Sequence, residues 1–195
     1  VVVCPGSRSA ALAIAVHEDP RLAVHVHPDE RSAAFVALGI GRVTGVPAAV
    51  VVTSGTAVAN LHPAAVEADH AGVPLLLIGA DRPPELRDTG ANQTIAQRDL
   101  LGPGLRWTHE FGVAEDRADA VRTWRATVAR AVATARGALG AAPGPVHLNV
   151  PTREPTVPVT DDGRTVAAPF TTPLDGRGAF APWVEVRPVP RTAPD

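Results

Sequence analysis

An α/β domain, doubly wound, with a mostly parallel sheet and helices on both faces, is the fold that the sequence predicts. Three observations predict it. Short apolar runs alternate with segments of helical period from Val1 to Val150. The runs are near-continuous in Val, Ile, Leu and Ala rather than alternating, as strands covered on both faces require. Polar loops rich in Gly, Ser, Pro and Asp follow those runs, and alternating β and α segments of this kind build a parallel sheet.

The elements follow in order. Val1–Val3 reads as the first strand and Ser9–His17 as the helix after it. Leu22–Val26 is the second strand. Glu30–Thr44 is the second helix, with Asp29 and Glu30 suited to cap the positive end of its dipole. Ala48–Val52 precedes a helix over Thr56–Ala71, and Leu75–Ala80 precedes a long loop. Arg106–Phe111 is a further strand. The helix from about Glu115 to Arg136 carries Val121, Trp124, Val128 and Val132 on one stripe, at spacings of three and four. Val146–Val150 closes the series. Beyond it proline recurs from Pro151 and Pro155 to Pro194, a composition that suits an extended linker. The domain is therefore placed at 1–155, and a Pro-rich linker towards a further, middle domain at 156–195.

Composition bounds the function. A chain of 195 residues holds one sizeable domain with an extension. A net charge of -2 offers no basic field for nucleic acid. No apolar run approaches the roughly 20 residues of a membrane span, and no charged-then-apolar leader opens the chain. Cys4 is the sole cysteine, so an internal disulfide is excluded and a reducing cytoplasm is the expected compartment. All 18 basic residues are arginine, which excludes a Schiff-base lysine or a P-loop lysine within this chain. Without methionine, and opening inside an apolar run, the sequence reads as a piece of a longer polypeptide.

Four polar stretches fall after strands, at the rim where open α/β sheets bind their ligands. They are "CPGSRS" (Cys4–Ser9), "HPDERS" (His27–Ser32), "TSGTAVAN" (Thr53–Asn60) and "ADRPPELRDTGANQT" (Ala80–Thr94). Each alone could be ordinary turn chemistry; together on one rim they suggest a shared site. Several sharper motifs are absent. Cys4 and Arg8 are too close for a phosphatase loop, no G-x-S-x-G elbow marks a serine hydrolase, and no G-x-G-x-x-G follows the first strand. His25 and His27, with Asp29 nearby, lack a partner cluster, so no metal ligand is assigned. "TSGTA" could receive a phosphate at a helix N-terminus, but in a chain without lysine it reads better as a tight strand–helix connection.

The wording of these loops is more specific than their composition. "CPGSRS", "DERSAAFVALGIGRVTG", "TSGTAVANLHPAAVEADHAGVPLLLIGADRPPELRDTGANQT" and "GPVHLNVPTREP" follow one another in this order. Over about residues 1–155 they resemble the N-terminal, pyrimidine-binding domain of the thiamine-diphosphate enzymes, and within that family its menaquinone-pathway branch. The resemblance implies the thiamine-diphosphate-binding fold and a transferase reaction. In it, 2-oxoglutarate is decarboxylated on thiamine diphosphate and the succinyl unit is added to isochorismate. Glu30 matches the family glutamate that hydrogen-bonds the cofactor's aminopyrimidine ring and activates it. Ser7 and Arg8 match a substrate-contacting pair, Arg82 the arginine of "DRPPEL", and Asn92 and Gln93 its "NQ" pair. Arginine suits substrates rich in carboxylates, because its planar fork can hold one through two bonds. Thr53 and Gly55 match positions lining the pyrimidine pocket.

The resemblance also implies what lies elsewhere. The segment that holds magnesium and the diphosphate, G-D-G followed by Asn, is missing here, so Mg2+ and most cofactor affinity are expected from a C-terminal domain. The active site is expected between subunits of a homodimer or homotetramer, and this piece alone should be inactive. Two other readings stay open. One is a thiamine-dependent lyase of the acetolactate synthase type, which shares "SG" and the following "N" but not "DRPPEL…GANQ". The other is a non-catalytic regulatory module on the same fold, which would have no need of a reactive glutamate at position 30.

Overall fold

The computed structural model describes residues 1–115 and 117–157. Most of the expected linker, from residue 158 onward, lies outside the described residues. Six strands form one parallel sheet: β1 (Val2–Val3), β2 (His25–Val26), β3 (Ala48–Val52), β4 (Leu75–Asp81), β5 (Trp107–Glu110) and β6 (Pro145–Pro151). Their order is β2-β1-β3-β4-β6-β5 and every pairing is parallel. In register, Val2 lies between His25 and Val50, and Leu77 between Val50 and His147.

Helices cover both faces. On one, α2 (Glu30–Thr44), α3 (Thr56–Ala59) and α4 (His62–Ala71) bury their small residues against the sheet. Ala33, Ala34, Ala37, Ala64 and Ala68 meet Val50, Val52, Leu75 and Leu77 there. On the other face, α1 (Ala10–Glu18) contributes Leu12, and α5 (Ala118–Ala135) packs Ala131, Ala135 and Trp124 on Leu76, Val146, Leu148 and Val150. Residues alternate between the two cores along β3 and β4, which is why these strands read as unbroken apolar runs. Alanine on α2 and α4 lets the helices approach the sheet closely, so many small side chains fill this core rather than a few large ones.

Three boundaries differ from expectation. Thr56–Ala71 is two helices, because Pro63 near the start of α4 has no N–H to donate to Ala59 and its ring would strike that carbonyl. The chain steps aside at Asn60 and Leu61, and Leu61 becomes fully buried. The second strand shortens to His25–Val26, an exposed edge pair. The last helix begins at Ala118 rather than near Glu115.

The chain reverses direction across the sheet between β1 and β3. From β1 it runs outward through α1 to β2, then returns over the opposite face through α2 to β3. The connections after β1 and β3 therefore run to helices on opposite faces of the sheet, which puts a ligand crevice at the carboxyl ends of these strands, the usual position in such sheets.

Candidate active site

The crevice is framed by the loops after β1, β2 and β3, and by the long segment after β4. Asp29, extended in backbone, caps α2: its Oδ1 accepts from the Ser32 amide at 2.8 Å. Glu30 is therefore not the cap, contrary to one part of the sequence reading. It occupies the first helical position, half-buried, and its carboxylate makes no hydrogen bond among the described residues. It acts on its surroundings through charge. Burial, then the negative charges of Glu30 and Asp29, push the Cys4 thiol up to about 11.

The loops after β1 and β3 are locked together. A Cβ on Gly6 would lie 2.5 Å from the Cβ of Thr53, so only glycine lets half-buried Thr53 sit against the first loop. Gly55 has φ 77°, and a Cβ there would meet the Gln93 side chain at 2.7 Å. Gln93 itself is left-handed at φ 56°. Its Nε2 donates to the Ser54 carbonyl at 2.7 Å, while Ser54 Oγ donates back to the Gln93 carbonyl at 3.1 Å. The Gln93 amide nitrogen thus braces the "TSG" turn, and its Oε1 is left to a ligand. The "TSGTA" connection is tight, as its composition suggested.

The two arginines assigned from sequence differ in state. Arg8 is 8% exposed and strapped to the chain after β6. Its Nη1 donates to the Thr152 carbonyl at 3.1 Å, its Nη2 to Glu154 Oε1 at 3.0 Å, and its own carbonyl accepts from Thr152 Oγ1 at 2.9 Å. Arg82 is half-buried, and its Nη1 reaches Ser54 Oγ and, at 3.4 Å, the Gln93 carbonyl. It forms no ion pair among the described residues. Burial, then the positive charge of Arg8, lower its pKa, with Asp81 and Glu154 opposing. An Arg82 guanidinium without an acidic partner beside Arg8 is an anion-binding arrangement. Ser7 is exposed on the first loop, and Asn92 is exposed on the segment after β4.

Beneath that segment lies a network that sequence reasoning missed. Gln97, 1% exposed, accepts from the Gly55 amide at 2.6 Å and donates to the Ala80 carbonyl at 3.0 Å and Asn149 Oδ1 at 2.9 Å. Asn149 Nδ2 donates to Asp81 Oδ2 at 2.8 Å and Glu110 Oε2 at 3.1 Å, and Arg87 bridges the same two carboxylates. Burial raises the Glu110 carboxyl, but hydrogen bonds from Arg87 and Asn149 outweigh it and its pKa falls. A cavity of about 580 Å³ opens beside Asp81, Arg87 and Glu110. One signal was present in the sequence: Asn149 inside the apolar run "VHLNV" needs buried partners. Next to it, His147 is fully buried with no hydrogen bond of ordinary geometry to either ring nitrogen.

Among the described residues no three His, Cys, Asp or Glu side chains converge as a metal site, and no helix is long and apolar enough to cross a membrane. The residues fit one end of the cofactor that the resemblance implies. Glu30 offers a half-buried carboxylate with no hydrogen-bond partner among the described residues.

The family described as "Thiamine pyrophosphate enzyme, N-terminal TPP binding domain" matches residues 1–100, and the chain belongs to it. Within that class it is similar to 2-succinyl-5-enolpyruvyl-6-hydroxy-3-cyclohexene-1-carboxylate synthases. It is 51% identical to that of Saccharopolyspora erythraea over 95% of this chain and 33% of the relative. It is 49% identical to that of Halobacterium salinarum over 95% of this chain and 32% of the relative. It is 54% identical to that of Thermobifida fusca over 80% of this chain and 28% of the relative. The chain thus spans about a third of the length of these curated relatives.

Proposed function

We propose that this chain supplies the pyrimidine side of the active site in a thiamine-diphosphate-dependent transferase of menaquinone biosynthesis. That enzyme decarboxylates 2-oxoglutarate and adds the succinyl unit to isochorismate. The observation that carries the reading is Glu30: a half-buried carboxylate at a helix start whose cap is already made by Asp29. Such a group is free to exchange a proton with a bound ring nitrogen, which is the task of a positioned acid–base residue. The similarity to synthases of a succinyl-bearing cyclohexene carboxylate supports the choice of substrates.

When bound, the cofactor would act as the electron sink for decarboxylation. The protein's part is orientation and charge. Glu30 would hold a proton at its carboxyl oxygen against the aminopyrimidine, while Thr53 and Gly55 form the wall the ring lies on. Arg82 and Arg8, with Ser7, Asn92 and the free Oε1 of Gln93, would receive the substrate carboxylates. Mg2+ and the diphosphate belong to the part of the relatives' length that this chain does not span. Phe35, Val36 and Val43, exposed along α2, support a site shared between subunits of a homodimer or homotetramer, because that helix carries Glu30 on its first turn.

The test is product analysis with the full-length protein. Carbon dioxide release from 2-oxoglutarate should require thiamine diphosphate, and isochorismate should gain the succinyl unit. Release of acetolactate from pyruvate instead would move the protein to the acetolactate synthase type. No turnover of either, with thiamine diphosphate bound, would favour a regulatory module.

A further inference from the structure

The Arg8 guanidinium is largely enclosed, and its one ion pair among the described residues is with Glu154. The arginine side chain is 9% exposed, and the Glu154 side chain that covers its outer nitrogen is 76% exposed. Glu154 is not needed to hold the arginine. Nη1 is fixed on the Thr152 carbonyl, and Thr152 Oγ1 returns a bond to the Arg8 backbone. Nor does it anchor its own segment, since the Thr152 amide is already tied to the Asp81 carbonyl at 3.0 Å. The charges of Arg8, Asp81 and Glu154 all reach Arg82, so the four form one electrostatic unit in which the charges balance.

We propose that Glu154 is a gate on Arg8: an internal carboxylate standing in for that of the substrate, displaced when an anionic ligand enters. The inference rests on the reading of Arg8 as a substrate arginine. A buried guanidinium left bare would carry a desolvation penalty, and an exposed carboxylate beside it removes that penalty in the ligand-free protein. An ion pair with one exposed partner is weak, so a ligand carboxylate that also reaches Arg82 outcompetes it. A neutral ligand gains no second contact and leaves the gate shut. Selection for carboxylates is thereby built into the resting site.

In the full-length protein, Glu154→Gln keeps the shape but removes the competing charge. The KM of the carboxylate substrate that Arg8 receives should fall by about two- to fivefold, the worth of such a pair. The change should fall on KM rather than on kcat, and the KM should become more sensitive to salt as the unit gains one net positive charge. Arg8→Gln identifies that substrate by raising its KM, and in the Arg8→Gln background Glu154→Gln should do nothing more. If Arg8→Gln raises a KM but Glu154→Gln leaves it unchanged or raises it, Glu154 is no gate, while the substrate role of Arg8 stands. If Arg8→Gln moves neither substrate's KM in a folded protein, the reading of Arg8 fails and the gate with it.

Discussion

Replacing Glu30 by glutamine separates two jobs that a first-turn carboxylate can do. Asp29 keeps its hydrogen bond to Ser32 in the variant, so the cap, worth about 1 kcal/mol, is retained. What is lost to the fold is a charge near the helix dipole, about 0.3–1 kcal/mol at a partly exposed position. For a domain of this size the melting temperature should move by no more than about 4 °C. The reactive step should change far more. Glutamine keeps the side-chain length but cannot give or take the carboxyl proton. Deuterium exchange at the thiazolium carbon of bound cofactor, measured on the full-length protein, should slow by roughly 10²–10⁴-fold. Asp29→Ala is the converse control, with about 1 kcal/mol of stability lost and exchange near normal. Normal exchange in a folded Glu30→Gln protein would refute the catalytic role and leave Glu30 as helix charge alone.

Arg82→Ala should lower kcat/KM for the carboxylate substrates by roughly ten- to a hundredfold, the range of one charge-assisted contact, with exchange at the cofactor unaffected; equal damage to both would make Arg82 a brace for Ser54. His147 gives a pH prediction. Burial pushes its pKa down to about 4, with the Arg98 backbone and Asp99 offsetting only part. The unfolded chain takes up this proton near pH 6.5 and the folded one only near 4, so stability should rise with pH across that window. His147→Leu should flatten the rise by about 3 kcal/mol in urea titrations at pH 4 and pH 7, and an unchanged slope would show that the ring finds a partner. On the proposed division of the site, the isolated chain should show no tight binding of thiamine diphosphate with magnesium by calorimetry; a micromolar or better affinity would overturn that division.

Local signals and distant ones fared differently in the sequence. The strands were legible because burial on both faces leaves unbroken apolar runs, and the loops because Gly, Ser and Pro mark turns. The Asp29 cap was legible too, although only coordinates separate it from Glu30. Pro63 was visible in the sequence, but the apolar period over Thr56–Ala71 masked the break it causes. The Asp81–Arg87–Glu110–Asn149 network was not legible, since its members come from three separate segments and share no spacing. Gln97 escaped for the same reason: its partners Gly55, Ala80 and Asn149 are distant in the chain and meet only through the parallel sheet. Glu154 read as part of a proline-rich exit, and nothing local in "TREP" indicates that it faces Arg8.

The raised thiol of Cys4 makes the mouth of the crevice chemically quiet. With its pKa at about 11, only about one cysteine in a few thousand carries the reactive thiolate at pH 7.5. Oxidants and alkylating agents attack that form, so the side chain is guarded twice, by burial and by the negative field of Glu30 and Asp29. The carboxylate proposed for proton exchange thus also holds down the reactivity of the one sulfur beside it.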